Sequence, residues 1–240
     1  TYLLLHFLLF DLPNLGWDNV PIKEELENHF RCHTAVLNDV DAGTYGEYRF
    51  GAAKRCRSVL GVFPGTGIGG GCVYDGNIVR GKSISAMEIG HIRVMPDGPL
   101  CGCGQRGCLE SVASRLAIAR AAVAAAYRGE APCLLEEVGT DLANVRSSAL
   151  ARAIAGGDEV IELLVRQAAA WLGVGVATVI NLICPERVVL GGGLVEAMPE
   201  LYRKTVEAEA RRLVMPAFAK CFKVSVAKLG DDAAVLGAAA

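Results

Sequence analysis

The spacing of apolar residues changes along the chain between a helical and an extended period, which predicts alternating helices and strands. Apolar side chains recur at helical spacing over residues 158–182, and Pro185 follows this run, so a long helix is predicted to end before it. Short apolar runs predict buried strands at 34–37, 58–63, 72–74, 187–190 and 223–227, with a returning hairpin strand at 78–80. Further helices are predicted at 22–30, 39–50, 110–127, 194–212 and 233–240. This alternation places the chain in the α/β class.

Composition narrows the possible functions. The chain has 240 residues, of which 52% are hydrophobic, so it is long enough to bury a sizeable core. Its net charge is −2, and no basic block could neutralise a run of phosphates, which argues against nucleic-acid binding by this chain. Residues 1–10 are apolar but too short to span a bilayer, and we interpret them as a buried strand or an interface segment.

Cysteine usage indicates a reducing compartment. Six cysteines are scattered singly, mostly among apolar neighbours, which is typical of buried thiols in a cytoplasmic protein. These six are Cys32, Cys56, Cys72, Cys133, Cys184 and Cys221. With no export signal recognised, we expect a cytoplasmic protein that has no membrane association.

The strongest chemical signal is a cluster of residues that bind metals. His91 precedes Cys101, Cys103 and Cys108, and glycines between the cysteines let the backbone turn tightly around a small ion. Three thiolates and one imidazole complete a tetrahedral zinc shell without an open position for water, so the predicted zinc is structural. The alternative is disulfide bonding, but Cys101 and Cys103 are too close in sequence to bridge each other comfortably.

Two glycine-rich turns follow predicted strands. The first runs through Gly65, Thr66, Gly67, Gly69 and Gly70, and its main-chain N–H groups, together with the Thr66 hydroxyl, could hold an anion. A hairpin corner without a ligand is the alternative, and the residues alone do not separate the two.

The second turn consists of Gly191, Gly192 and Gly193, and taken alone it is more simply a tight strand-to-helix connection. Ligands of open α/β sheets bind outside the carboxyl ends of strands. The two turns together therefore suggest the walls of one nucleotide cleft.

The order of these motifs resembles the ROK family, which comprises repressors, open-reading-frame proteins and sugar kinases. The resemblance runs from about Pro13 to the end, through Asn38-Asp39, the first glycine turn, Glu88-Ile89-Gly90-His91, the cysteine loop with Glu110, and the second glycine turn. It implies the actin-like ATPase fold (ribonuclease H-like, hexokinase-type), with two lobes and a cleft between them. It also implies a glucokinase-like enzyme that transfers phosphate from ATP, with Mg²⁺, to the 6-hydroxyl of a hexose.

The resemblance also implies roles at the sugar site. Asp39 matches the family's catalytic base, whereas from the bare sequence it would be interpreted as a helix N-cap. Asn38 would hydrogen-bond the sugar hydroxyls. Asn14 resembles a weaker sugar contact, for which a plain turn residue is as good an interpretation.

Carboxylates and an imidazole complete the implied site. Glu88 and Glu110 match sugar-binding residues, since a carboxylate can accept two hydroxyl hydrogen bonds, although surface glutamates are the default interpretation. His91 would bind zinc through one ring nitrogen and face a sugar hydroxyl with the other. Thr66 and its glycines match a phosphate loop, and Gly191 to Gly193 match the nucleoside-binding turn.

The sequence departs from the family pattern at its start. It contains no Asp-x-Gly-Gly-Thr, the motif with which kinases of this fold hold Mg²⁺ and the phosphates. We therefore expect an incomplete small lobe at 1–57, a large lobe at 58–230 and the start of a C-terminal helix at 231–240. Phosphoryl transfer depends on positioning and charge neutralisation, so the expected catalysis is impaired.

Three functions remain in competition. The first is a hexose or N-acetylhexosamine kinase, and the second is the sensor portion of a sugar-responsive ROK regulator. The third is a sugar-binding module without catalysis. By resemblance, the expected assembly is a homodimer or homotetramer.

Overall fold

The computed structural model describes residues 20–82 and 86–240, and these are organised around a mixed five-stranded sheet. The order is β3-β2-β1-β4-β5, in which β1 pairs antiparallel with β2 and parallel with β4. The strands are β1 (Ser58–Pro64), β2 (Ile68–Tyr74), β3 (Asn77–Ile78), β4 (Arg187–Leu190) and β5 (Lys223–Val226). The α/β class predicted from the sequence is confirmed.

Ten α-helices surround this sheet within the described residues. They are α1 (Ile22–Phe30), α2 (Asp39–Arg49), α3 (Leu109–Ala113), α4 (Arg115–Tyr127), α5 (Pro132–Val138), α6 (Ser147–Ala155), α7 (Glu159–Ile183), α8 (Gly193–Ala197), α9 (Pro199–Leu213) and α10 (Asp232–Ala238). A short 3₁₀ turn, Ile89–His91, lies between β3 and the cysteine loop.

The two faces of the sheet differ in what they bury. Leu60, Val62, Val188 and Leu190 alternate along β1 and β4 and belong to the main apolar core with helices α7 and α9. On the opposite face, Gly61 of β1 and Gly71 of β2 both lie against Thr44 of helix α2. A Cβ at Gly61 would overlap the Thr44 side chain, so helix α2 approaches this face closely.

Helix α7 is the central helix of the core. It is long and apolar enough to cross a membrane by length and composition, but 56% of its most apolar window is buried inside the protein. It packs against α3, α4 and α9. Its apolar character is therefore explained by burial in the main core.

Helices α2 and α10 cross at very close range. A Cβ at Gly46 would overlap the Ala233 carbonyl, and one at Gly237 would overlap the Ala42 carbonyl. Glu47 of α2 is fully buried, and its carboxylate accepts hydrogen bonds from backbone N–H groups on both sides of this crossing. The helix that carries Asp39 is thereby fixed to the end of the chain.

Several sequence predictions were wrong in detail. Residues 34–37 form no strand, since no described strand pairs with them and the Thr34 N–H donates instead to Glu27. The helix predicted at 110–127 breaks at Ser114, whose hydroxyl caps α4. The helix predicted at 194–212 is interrupted at Met198, where Pro199 starts α9. Helices α5 and α6 were not predicted, and residues 1–12 and Asn14 lie outside the described residues.

Candidate functional site

The N-terminus of α2 lies beside the first glycine turn and presents Asp39. Asn38 is the N-cap, and its Oδ1 accepts hydrogen bonds from the N–H groups of Val40 at 2.9 Å and Asp41 at 3.3 Å. The alternative that Asp39 caps the helix was therefore wrong. Asp39 is exposed in the first turn of this helix.

Helix α2 can pack closely against the start of β2 because Gly69 has no side chain. A Cβ at Gly69 would lie 2.5 Å from Val40 Cγ2, closer than packed carbon atoms allow. Only glycine at this position permits Val40, and with it Asp39, to lie this close to the turn that joins β1 to β2.

The segment that carries Glu88 packs on the other face of the same strand. A Cβ at Gly70 would lie 2.6 Å from Ile89 Cγ2, and one at Gly90 would overlap the Ile68 carbonyl. Ile89 is buried while Glu88 is exposed. The start of β2 therefore has Asp39 near one face and Glu88 near the other, and the first glycine turn lies between them along the chain.

The four predicted metal ligands are brought together. The ligand atoms of His91, Cys101, Cys103 and Cys108 all lie within 4.8 Å of one another. The Cys103 and Cys108 sulfurs are 3.7 Å apart, and the Cys101 sulfur is 3.7 Å from His91 Nδ1. A tetrahedral zinc with Zn–S bonds of about 2.3 Å separates its sulfurs by about 3.8 Å. The donor types and spacing fit a structural zinc ion.

The cysteine loop owes its shape to glycine and not to disulfides. Gly104 and Gly107 have φ values of +84° and +72°, and a Cβ at Gly107 would overlap the Met95 carbonyl. All nine cysteines are free thiols. The disulfide alternative therefore finds no support in the structure.

Burial opposes charge on two of the thiols. Burial raises the pKa of Cys101 to about 12 and also raises that of Cys108, whereas a hydrogen bond from the Gln105 backbone lowers the pKa of the exposed Cys103. A divalent cation among them would reverse this preference, because thiols bind metals as thiolates. Metal binding at this cluster would thus release protons.

Glu110 connects the cysteine loop to the first glycine turn. Its Oε2 accepts a hydrogen bond from the Ile68 N–H at 3.0 Å, and its Oε1 lies 3.5 Å from the Cys101 sulfur. A Cβ at Gly67 would overlap Oε2, so the turn passes directly over the carboxylate. A shift of Cys101 would therefore be transmitted to the first glycine turn through the side chain of Glu110.

The two glycine turns lie side by side. They follow β1 and β4, which are parallel neighbours, so both turns lie at the carboxyl edge of the sheet. The Gly191 N–H donates to the Val62 carbonyl at 3.0 Å, and a Cβ at Gly192 would lie 2.9 Å from the Pro64 carbonyl. This adjacency is the arrangement expected for two walls of one cleft.

A cavity of about 430 Å³ opens next to these turns. Its lining includes Arg115, Arg146, Ser147, Ser148, Gly193 and Glu196. Arg115 also donates to the Thr66 hydroxyl at 2.7 Å. The sequence analysis did not predict a role for Arg115 or Arg146. The local signal was Ser114, a good N-cap residue, which indicates that a helix begins at Arg115.

Comparison with known proteins decides the family. The ROK family model matches residues 7–240. The chain belongs to the ROK family. The glucokinase of Streptomyces coelicolor is 35% identical over 231 residues, which are 95% of this chain and 72% of that enzyme. The xylose repressor of Caldicellulosiruptor bescii is 30% identical and is matched over 94% of this chain and 56% of the repressor.

A solved structure confirms the fold. The ROK family glucokinase from Streptomyces griseus, in complex with glucose and AMPPNP, superposes with a TM-score of 0.82 at 35% identity. The match covers 95% of this chain and 73% of that one. The actin-like ATPase fold expected for this ROK protein is thereby confirmed. The division into lobes at residues 57 and 230 stays a prediction.

Proposed function

We propose that this ROK protein is a hexose kinase of the glucokinase type, which transfers phosphate from MgATP to a sugar hydroxyl. The observation that carries the proposal is the convergence on the first glycine turn. The N-terminus of α2, the segment of Glu88 and the carboxylate of Glu110 all contact the strand that follows this turn. The glucokinase relatives support the hexose and the nucleotide as substrates.

Asp39 is the proposed catalytic base. Its carboxylate would accept the proton of the sugar 6-hydroxyl while that oxygen forms a bond to the γ-phosphorus. The bond from the γ-phosphorus to the bridging oxygen breaks, and ADP leaves with that electron pair. The side-chain oxygen of Asn38 already accepts two N–H groups at the start of the helix, so its amide hydrogens remain to donate to the sugar.

The sugar would be held by carboxylates and the zinc ligand. Glu88 is exposed beside the strand, and its two oxygens can each accept from a hydroxyl. One oxygen of Glu110 already accepts from Ile68, which leaves Oε1 on the side of the cysteine loop. His91 faces Cys101 with Nδ1, so its other ring nitrogen is available to a sugar hydroxyl.

The nucleotide would bind along the carboxyl edge of the sheet. Gly65, Thr66 and Gly67 would donate to the phosphates. Gly191 to Gly193 and the adjoining cavity would receive the nucleoside. Their adjacency at the ends of β1 and β4 supports this placement.

Zinc is proposed at His91, Cys101, Cys103 and Cys108 as a structural ion. When bound, it would tie the cysteine loop to the segment of His91 through coordinate bonds to all four side chains. Its four protein ligands leave no open position for a substrate. We also propose that the protein acts in the cytoplasm as a homodimer or homotetramer, on the family resemblance alone.

The test is glucose binding and glucose-dependent ADP release by the wild-type chain and Asp39→Asn. We expect calorimetry to show glucose binding by both proteins, because asparagine keeps the shape of the side chain. ADP release should fall by about 10²–10⁴-fold, the usual contribution of a general base. Asp141→Asn, an exposed cap far along the chain, is the matched control. No glucose binding by the wild-type chain would contradict the proposal.

The second candidate is the sensor portion of a ROK regulator. The similarity to a xylose repressor favours it. A sensor would bind a sugar without ADP release at any ATP concentration. ADP release that depends on glucose and on Asp39 would identify a kinase, even if the catalysis is impaired, and binding of xylose in preference to glucose would favour the sensor.

A further inference from the structure

Arg115 joins two segments that are distant in sequence. Its backbone N–H donates to the Gly65 carbonyl at 2.8 Å, and its guanidinium donates to the Thr66 hydroxyl at 2.7 Å and to the Val145 carbonyl at 3.2 Å. Ser114 caps α4 immediately before it and is buried. Arg115 is thus held by hydrogen bonds at its backbone N–H and at both terminal nitrogens of its guanidinium.

The bond to Thr66 has a chemical consequence. A threonine hydroxyl has one hydrogen and two lone pairs, whereas a guanidinium can only donate. Thr66 must therefore accept from Arg115, which directs its own hydrogen elsewhere. Because Thr66 is exposed at the tip of the first glycine turn, that hydrogen is free to donate to an incoming acceptor. Phosphate oxygens are such acceptors.

Arg115 also lines the cavity beside the second glycine turn, together with Arg146 and Gly193. Two arginines against the single carboxylate of Glu196 give this lining a net positive charge. The same side chain therefore faces both halves of the nucleotide cleft. A polyanion that runs from Thr66 towards Gly193 would pass it.

We propose that Arg115 is a positioning residue for the phosphate donor, which acts by holding the Thr66 hydroxyl as a hydrogen-bond donor to the nucleotide phosphates. The inference rests on the function proposed above, since it concerns the same donor site. The competing explanation is that Arg115 only ties α4 to the loop before α6, in which case its loss would lower stability without selecting one ligand.

A double-mutant cycle tests the inference. The variants are Thr66→Val, Arg115→Met and the double variant, and calorimetry gives the dissociation constants of MgATP and of glucose for each. We expect either single change to weaken MgATP binding about tenfold, the effect of one charge-assisted hydrogen bond. The double variant should bind MgATP little more weakly than either single variant, because each single change already removes the same interaction. Glucose affinity should stay within twofold.

Two further variants keep the test decisive. Arg128→Met is the matched control, since Arg128 lies at the other end of α4 and pairs with Glu130 on the surface. Arg115→Lys keeps the charge and a donor, and it should recover part of the MgATP affinity. If Arg115→Met fails to fold, as judged by its thermal unfolding midpoint, Thr66→Val and Arg115→Lys carry the test, and unchanged MgATP affinity in both overturns the inference.

The outcomes separate this inference from the proposed function. Wild-type protein that binds neither glucose nor MgATP contradicts the proposed function, and the inference fails with it. Wild-type protein that binds both, with unchanged MgATP affinity in Arg115→Met, overturns the inference alone. Effects that multiply in the double variant overturn it as well, because Arg115 and Thr66 would then act independently.

Discussion

At the scale of single residues, both carboxylate oxygens of Glu110 have a hydrogen-bond partner. It accepts from the Ile68 N–H with one oxygen and lies against the Cys101 sulfur with the other. A thiol can donate its hydrogen to a carboxylate, whereas a thiolate repels it. Loss of the Cys101 proton, which metal binding requires, would therefore leave Oε1 of Glu110 without this donor.

Replacing Glu110 by glutamine tests its proposed role in binding sugar. Glu110→Gln keeps the shape and the acceptor for Ile68 but removes the charge. We expect glucose affinity to fall about 10–100-fold, since hydrogen bonds to charged groups contribute about 1.5–3 kcal/mol. Zinc content should not change, because the four ligands are intact. Glu130→Gln, which alters an exposed pair with Arg128, is the control. Unchanged glucose affinity in Glu110→Gln would exclude a sugar-binding role.

At the scale of elements, the position of Asp39 depends on how α2 is anchored. Oε1 of Glu47 accepts from the N–H groups of Lys228 and Leu229 at 2.7 and 2.8 Å, and Oε2 accepts from that of Ala52 at 2.6 Å. Three backbone donors thus satisfy a carboxylate that is fully buried. The segment before α10 and the end of α2 are joined at this one side chain.

Glu47→Gln should therefore destabilise the protein. One of the backbone N–H groups would face the glutamine amide instead of an acceptor, and an unsatisfied buried donor costs about 1–3 kcal/mol. For a chain of this size the thermal midpoint should fall by several degrees, about 2–4 °C per kcal/mol. Glu162→Gln changes an exposed pair between successive turns of α7 and should shift the midpoint by less than about 2 °C. Equal midpoints for the two variants would contradict this account.

At the scale of the whole molecule, the sequence predicts what is local and fails where partners are distant. The 22–30 helix and the 187–190 strand lie where their patterns place them. The grouping of the four proposed metal ligands was predictable because they fall within 18 residues, from His91 to Cys108. The strand predicted at 34–37 was wrong because an apolar run does not reveal whether a neighbouring strand exists. Arg115 was missed because Thr66 and Val145 are 49 and 30 residues away.

Removal of zinc should affect stability and sugar affinity together. Cys103 is exposed, so Cys103→Ser removes one ligand with little loss of packing, and Cys221→Ser is an exposed control away from the cluster. We expect about one zinc per chain by elemental analysis in the wild type and in Cys221→Ser. Cys103→Ser, or the wild type with chelator, should unfold about 5–10 °C lower, since metal binding to a folded site contributes to folding.

The pH dependence of zinc binding follows from the thiols. Burial raises the pKa of Cys101 and Cys108, so these groups hold protons that zinc must displace. Zinc affinity should therefore rise with pH and fall in acid, and the thermal midpoint without chelator should follow it.

Because Glu110 contacts both the cluster and the first glycine turn, glucose affinity should fall with zinc content. Full glucose affinity in zinc-free, folded protein would show that the cluster does not position the sugar site.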